Sequence, residues 1–422
     1  AWDGRRFRFV TDILGAAHMG LPASETHYID ADTDEFVWVG DEKLFQPKGE
    51  EYVMQITSEL REVLYLDEAK LFVVDHPAGT EVHSTDKLVP GKPFPRSELI
   101  TLHRRQPLLR AARLDGTEVA ELLAENDGKV LPPGKLRVPQ LRGLAEPHGV
   151  MLDFGPLDTG RPLVLALTGW LRFGGGMANV AASLNPDLPF PFPILEAEVA
   201  DGQWKPVDVV VGAPIGKTKT IVVDLAGKLP SGSRRLRLTT AFEIHWDRIA
   251  LFERRDPSET KVTVLKPSRT DLHWHGFGEF EDRPWFEPLT PRHDQVSQSP
   301  KWRINPTGWC TLYGPVDELV MERDDALALV NAGDELTLSF AAQRLPEKPA
   351  GVMRDFFLYT DGWEKDSDFH VAQGWRVDPL PFHGMDDQRY GQQTRPVING
   401  DGWMQKYNTR WVGPLTLHRA KP

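Results

Sequence analysis

One cysteine, Cys310, occurs in 422 residues. That excludes an intramolecular disulfide and any metal cluster built from cysteines. No apolar run approaches the ~18 residues that a membrane-crossing helix needs. Common signatures of nucleophilic and phosphate-handling sites are also missing, with no Gly-x-Ser-x-Gly, no Gly-x-x-x-x-Gly-Lys-Ser/Thr and no His-Glu-x-x-His. Gly174-Gly175-Gly176 is glycine-rich, but no helical pattern opens after it, so it reads as a tight loop and not a dinucleotide cradle. Positive charge is scarce: 49 Lys and Arg face 61 Asp and Glu, for a net charge of -12. Such a surface repels phosphate backbones, so nucleic acid is not an expected partner. The densest basic groups, Arg104-Arg105, Arg234-Arg235 and Arg254-Arg255, are no more than pairs and read as solvated strand ends. The opening Ala1-Trp2-Asp3-Gly4-Arg5-Arg6 carries no signal-peptide pattern and reads as the interior of a β unit. The chain is therefore expected to begin at a processing site or within a longer protein.

What is present is turn chemistry and short strands. The 36 glycines and 35 prolines exceed average usage and are spread along the chain, as many tight turns require. Between them recur β-branched or aromatic runs: Phe36–Val39, Leu71–Val74, Leu163–Leu167, Thr220–Val223, Leu236–Thr240 and Phe356–Tyr359. Helical candidates are few, at Ser58–Tyr65, Glu118–Glu125 and Asp324–Asn331. Long helices never alternate with the strands, which disfavours a parallel α/β fold and favours an all-β chain of β-sandwich, jelly-roll-like domains. An internal echo points to two related copies. Met151–Phe154, the run ending Thr168-Gly169-Trp170, and Leu188-Pro189-Phe190 are answered by Leu336–Phe340, Asp361-Gly362-Trp363 and Leu380-Pro381-Phe382. The expected division is a first β region over 1–100, a connecting segment over 101–145, one sandwich over 146–256 and a second over 260–422.

Several strings resemble the C-terminal half of bacterial FG-GAP/VCBS-repeat proteins related to cartilage acidic protein, which carry an ASPIC/UnbV region. They include Trp2-Asp3-Gly4-Arg5-Arg6-Phe7, Leu64-Tyr65-Leu66-Asp67, Val74-Asp75-His76-Pro77-Ala78-Gly79-Thr80 and Gly143-Leu144-Ala145-Glu146-Pro147-His148. Glu243-Ile244-His245-Trp246-Asp247, Asp361-Gly362-Trp363-Glu364-Lys365-Asp366 and Pro379-Leu380-Pro381-Phe382-His383-Gly384-Met385 continue the series. The resemblance touches most of the chain. It implies an exported protein whose first β region is a β-propeller or ASPIC-like remnant, and it implies no activity.

Four constellations carry candidate chemistry. Asp30, Asp32 and Asp34 alternate before a strand, reading either as Ca²⁺ ligands in a tight loop or as an acidic hairpin entry. Asp361, Asp366 and Asp368 form the better acidic loop, as a Ca²⁺ site or a polar turn. His273 and His275 make a His-x-His pair whose imidazoles share one strand face and could hold Zn²⁺ or Cu²⁺, given a third ligand such as His293, His383 or Glu243. Glu243, His245 and Asp247 alternate on another strand, as an acid/base set, a polar sugar pocket or a buried network. Among 13 tryptophans, Trp363 sits beside an acidic loop and could stack on a sugar, while most of the others, Trp285 included, read as core.

These residues support, first, a noncatalytic extracytoplasmic module that recognises a protein or glycan partner and is braced by structural Ca²⁺. The second reading is a metal-dependent hydrolase or oxidase using the His-x-His site. A structural subunit of a larger surface assembly is the third.

Overall fold

The computed structural model describes residues 1–413 apart from 141, 189–190, 285–286 and 301, and gives no side-chain placement for 399. Trp285 and the Pro189-Phe190 corner of the echo lie outside the described residues. Strand accounts for 43% and helix for 8%, in antiparallel sheets none of which closes into a barrel, so the chain is all-β. All six β-branched or aromatic runs noted above fall in strands.

Two compact units emerge. The first comprises residues 1–22, 26–75 and 261–422, and the second comprises 23–25 and 76–260. The boundary near 256–260 thus coincides with a unit edge. By contrast, the strands of residues 34–77 pair with strands beyond residue 261 instead of forming a β region of their own.

In the first unit, one sheet runs Asp34–Asp41, Val352–Asp366, Glu62–Pro77, Lys261–Leu265, with Ala328–Asn331 also paired to Glu62–Pro77. The other runs Arg269–Trp274, Asp334–Ala341, Glu51–Thr57, Pro47–Lys48. Apolar residues from both sheets, among them Val37, Leu66, Phe356, Ile56, Leu338 and Phe340, form one buried cluster. The second unit holds Lys219–Asp224, Leu163–Leu171, Ile244–Arg254, Leu99–Gln106, Glu81–Ser84 in one sheet. Its other sheet is Gln203–Pro206, Ile194–Ala200, Arg235–Phe242, Leu144–Asp153, Arg110–Arg113. Every residue of Leu163–Leu171 is buried, as a run without polar alternation requires of a central strand.

The two units are built alike. Asp34–Asp41, Val352–Asp366, Glu62–Pro77 and Lys261–Leu265 neighbour one another as do Lys219–Asp224, Leu163–Leu171, Ile244–Arg254 and Leu99–Gln106. Glu51–Thr57, Asp334–Ala341 and Arg269–Trp274 likewise match Arg235–Phe242, Leu144–Asp153 and Arg110–Arg113. In chain order the matching strands come round in the same cycle. The chain therefore traverses one strand order twice, and each unit takes the opening strands of one pass and the closing strands of the other. Details agree at the level of single atoms. The 3-10 turns Ala120–Leu122 and Asp317–Leu319 sit in equivalent places, and the carbonyls of Leu123 and Val320 accept from Ile249 and Ala69 at 2.9 and 3.0 Å. Gly169 and Gly362 lie against the neighbouring strand, where a Cβ would meet the carbonyl oxygens of His245 and Tyr65 at 2.5 and 2.3 Å. The adjacent tryptophans of the echo, Trp170 and Trp363, are both buried.

Sheet pairing overrides three local expectations. Ser58–Tyr65 is not helical, because Val63, Leu64 and Tyr65 enter the Glu62–Pro77 strand. Asp324–Asn331 supplies the Ala328–Asn331 strand that pairs with it. Glu118–Glu125 yields only the short 3-10 turn. These β-branched and aromatic residues fit a half-buried pleated surface better than a helix. Conversely, Gly175–Leu184 is a helix where a loop was expected, carried by the helix formers Met177, Ala178, Ala181, Ala182 and Leu184.

Gly169→Ala and Gly362→Ala should each destabilise the protein by roughly 1–3 kcal/mol, because the added methyl meets backbone that cannot retreat. Urea titration of both variants tests this, and unchanged midpoints would refute the close approach.

Candidate metal centre

Asp271 and His273 lie two apart on the Arg269–Trp274 strand and so share a face, with their side chains 3.1 Å apart. The strand pairs with Asp334–Ala341, and its register sets His273 directly opposite Glu335, which in turn faces Thr57. His275 lies just past the strand end, held by its N–H on the Gly333 carbonyl at 3.0 Å. His293 comes from the Pro291–Ser297 strand, which pairs with Phe277–Phe280.

These side chains converge on Glu335, which is 1% exposed. His273 Nε2 lies 3.1 Å from Oε1, and His275 Nδ1 and His293 Nε2 lie 3.2 and 2.9 Å from Oε2. Gln55 also donates to Oε1. The rings of His275 and His293 stack at 4.7 Å, and Phe7 backs His293. Burial lowers the pKa of His275, favouring the neutral imidazole that a metal requires. Burial alone would raise that of Glu335, but the His293 hydrogen bond and the neighbouring imidazoles outweigh it and keep it ionised. Nε2 of His275 is buried without a hydrogen-bond partner among the described residues. Metal–ligand bonds of about 2.1 Å put neighbouring ligand atoms roughly 3.0–3.4 Å apart in octahedral or tetrahedral shells. The observed spacings fit that range, and imidazole with carboxylate suits Zn²⁺ or Cu²⁺.

Of the expected third ligands, then, His293 joins the pair, whereas His383 and Glu243 do not. Glu335 was not singled out in the sequence. On its strand, DELTLSFA, Glu335 shares a face with Thr337 and Ser339, so it reads as ordinary polar alternation.

The other candidates scatter. The Val352–Asp366 strand continues past Asp361, so Asp361 and Asp366, five residues apart, point to opposite faces and do not form one loop. Asp366 joins His18 and Glu364, beside Glu62. Burial, then neighbouring carboxylates, pushes Glu62 and Glu364 far above the usual carboxylate range. Asp368 accepts from the N–H of Phe369. Asp30 accepts from Gln388, and the N–H of Asp32 bonds Ala16. Asp34 opens a strand directly opposite Asp361, so one member of each acidic set meets the other.

Asp361 and Asp67 face His383. His383 Nε2 is 2.8 Å from Asp361, and its Nδ1 is 2.6 Å from Asp325 and 3.4 Å from Asp67. Burial raises Asp67 to about 7 and Asp361 to about 6. For His383, burial is outweighed by the hydrogen bonds to Asp325 and Asp361, which lift it to about 9. Trp363 is core, with its ring against His383, and offers no face to a sugar.

Glu243, His245 and Asp247 are all buried but make separate contacts. Glu243 binds Arg142 through both oxygens and the Gly143 N–H at 2.9 Å. His245 stacks on Trp170 at 4.8 Å. Asp247 sits at a register shift, where it accepts the N–H groups of Asp127 and Gly128.

Comparison with protein-family models finds no match, and no curated protein or solved structure is significantly similar to the chain.

Burial would raise Glu243, but His245 at 3.8 Å, the Arg142 ion pair and the Gly143 N–H together win and hold it at about 2, below its ordinary 4.5. Its stabilising contribution is therefore complete above pH 4.5 and is lost as pH falls towards 2. Glu243→Gln should cost roughly 2–4 kcal/mol at pH 7, with the gap to the parent closing between pH 4.5 and 2. Denaturant titrations across that window check it, and a pH-independent gap would contradict it.

Proposed function

We propose that this chain is a transition-metal protein in which His275, His293 and Glu335 hold a divalent ion with His273 as fourth ligand, and that the ion serves a hydrolytic or oxidative reaction. One observation carries the reading: three imidazoles from two chain segments approach one buried carboxylate at ligand–ligand spacing. Bound metal would supply a Lewis acid and an activated water. Glu335 would anchor the ion, the imidazoles would complete its shell, and Gln55 would orient the carboxylate. The same reading sets the chain outside the cytoplasm, on the strength of its cysteine scarcity and its resemblance to exported proteins.

A second reading, a noncatalytic module docking a glycan, draws on Trp309 and Trp411. They face each other across a strand pair at 5.3 Å, each about half exposed. Such rings can stack on a sugar.

Elemental analysis of the purified protein should find close to one equivalent of Zn or Cu, and His275→Ala/His293→Ala should reduce it at least about tenfold. Metal content unchanged in the double variant would defeat the metal reading. Tryptophan fluorescence quenched by oligosaccharide, and abolished in Trp411→Ala, would move the second to the front.

A further inference from the structure

The repeated architecture separates what the fold needs from what one unit adds. In both units a strand aspartate clamps a turn. Asp67 accepts the N–H groups of Asp324 and Asp325 at 3.2 and 3.0 Å, and Asp247 those of Asp127 and Gly128 at 3.3 and 3.1 Å. The second residue of each turn has positive φ, 63° at Asp325 and 80° at Gly128. One carboxylate is thus enough to build this device.

The residue before the packed glycine differs. In the second unit it is Thr168, paired across the strands with Thr220 and hydrogen-bonded to it, hydroxyl to hydroxyl, at 2.8 Å. In the first unit the equivalent pair is Asp361 and Asp34, two carboxylates directly opposite each other. Like charges in that arrangement are destabilising, so the fold does not call for them. Arg323 lies 3.1 Å from both, and His383 closes the group from the other side. Among the described residues, the cations facing Asp34, Asp67, Asp325 and Asp361 are His383 and Arg323, together with Arg395, which pairs with Asp401 and also donates to the Asp325 carbonyl at 3.1 Å. Fully ionised, the group carries two uncompensated negative charges around Asp67 and Asp361, both fully buried. Oδ2 of Asp361 accepts no hydrogen bond among the described residues, and Arg323 is its ionic neighbour.

We infer that Asp67, Asp361 and His383 form a second cation site in the first unit, taking a hard divalent ion that accepts mixed carboxylate and imidazole ligands, such as Mn²⁺. One ligand atom from each lies within 4.8 Å of the others. A divalent ion would cancel the charge excess. It takes the place of a ring proton on His383, so binding releases protons. The site does not depend on the imidazole centre at Glu335.

The probe is Mn²⁺ added to chelator-treated His275→Ala/His293→Ala protein, with free ion read by electron paramagnetic resonance. One saturable equivalent is expected, with uptake that releases protons. Asp361→Thr, which installs the residue found at the same place in the second unit, should fold and bind Mn²⁺ at least tenfold more weakly. His383→Gln should do the same and covers the case in which Asp361→Thr fails to fold. No saturable Mn²⁺, or affinity undiminished in both single variants, would overturn the inference. Loss of all binding on removing His275 and His293 alone would assign the ion to the Glu335 centre and also overturn it.

Discussion

The carboxylates of Asp67 and Asp247 hold together parts of the chain that lie far apart in sequence. Asp67 fixes a turn some 257 residues away and Asp247 one about 120 residues away. Each is buried in a central strand, and each supplies acceptors to two successive backbone N–H groups that would otherwise lack partners. The turn so held delivers the following segment back onto the same strand, at Leu131 opposite Trp246 and at Ala328 opposite Leu66. A glycine on the neighbouring strand lets the sheet close tightly at that level. Without the clamp, the pairing that completes each unit would lose its anchor.

This constraint explains how one chain makes two similar units from exchanged halves. A clamp acts between whichever strand and turn are paired, whatever their separation along the chain. The first unit accordingly joins residues 34–75 to residues 261–366, segments that residues 76–260 separate in sequence. Long-range pairing of this kind carries a large loop-closure entropy, which extensive cores and buried ion pairs such as Arg354 with Asp75 help offset. The candidate metal chemistry is confined to the first unit. At the equivalent positions the second unit keeps the clamp and places threonines and a stacked Trp170–His245 pair.

Much of the local structure was legible in the sequence. Period-two and short apolar runs gave strands, and the Gly-Trp echo marked equivalent strands of the two units, because side-chain alternation and a close-packed glycine leave direct traces in sequence. His273 and His275 could be recognised as a pair for the same reason, since two-residue spacing places side chains on one face. The extent of the Val352–Asp366 strand was not legible, and with it fell the idea that Asp361 to Asp368 form one loop. Acidic residues read as loop when their partners are unseen.

Sequence alone determined the all-β class, the strand runs, the lack of a cysteine framework and the charge that disfavours nucleic acid. These follow from composition and short-range periodicity, which act within a few residues. Tertiary structure decided which strands pair, that the units exchange halves, and that Glu335 and His293 join the His-x-His pair. It also decided that Asp34, Asp67, Asp361 and His383 meet. Those outcomes depend on sheet register between segments tens to hundreds of residues apart, and register is set by the burial of whole faces and by hydrogen-bonded turns, for which no single stretch of sequence carries the signal.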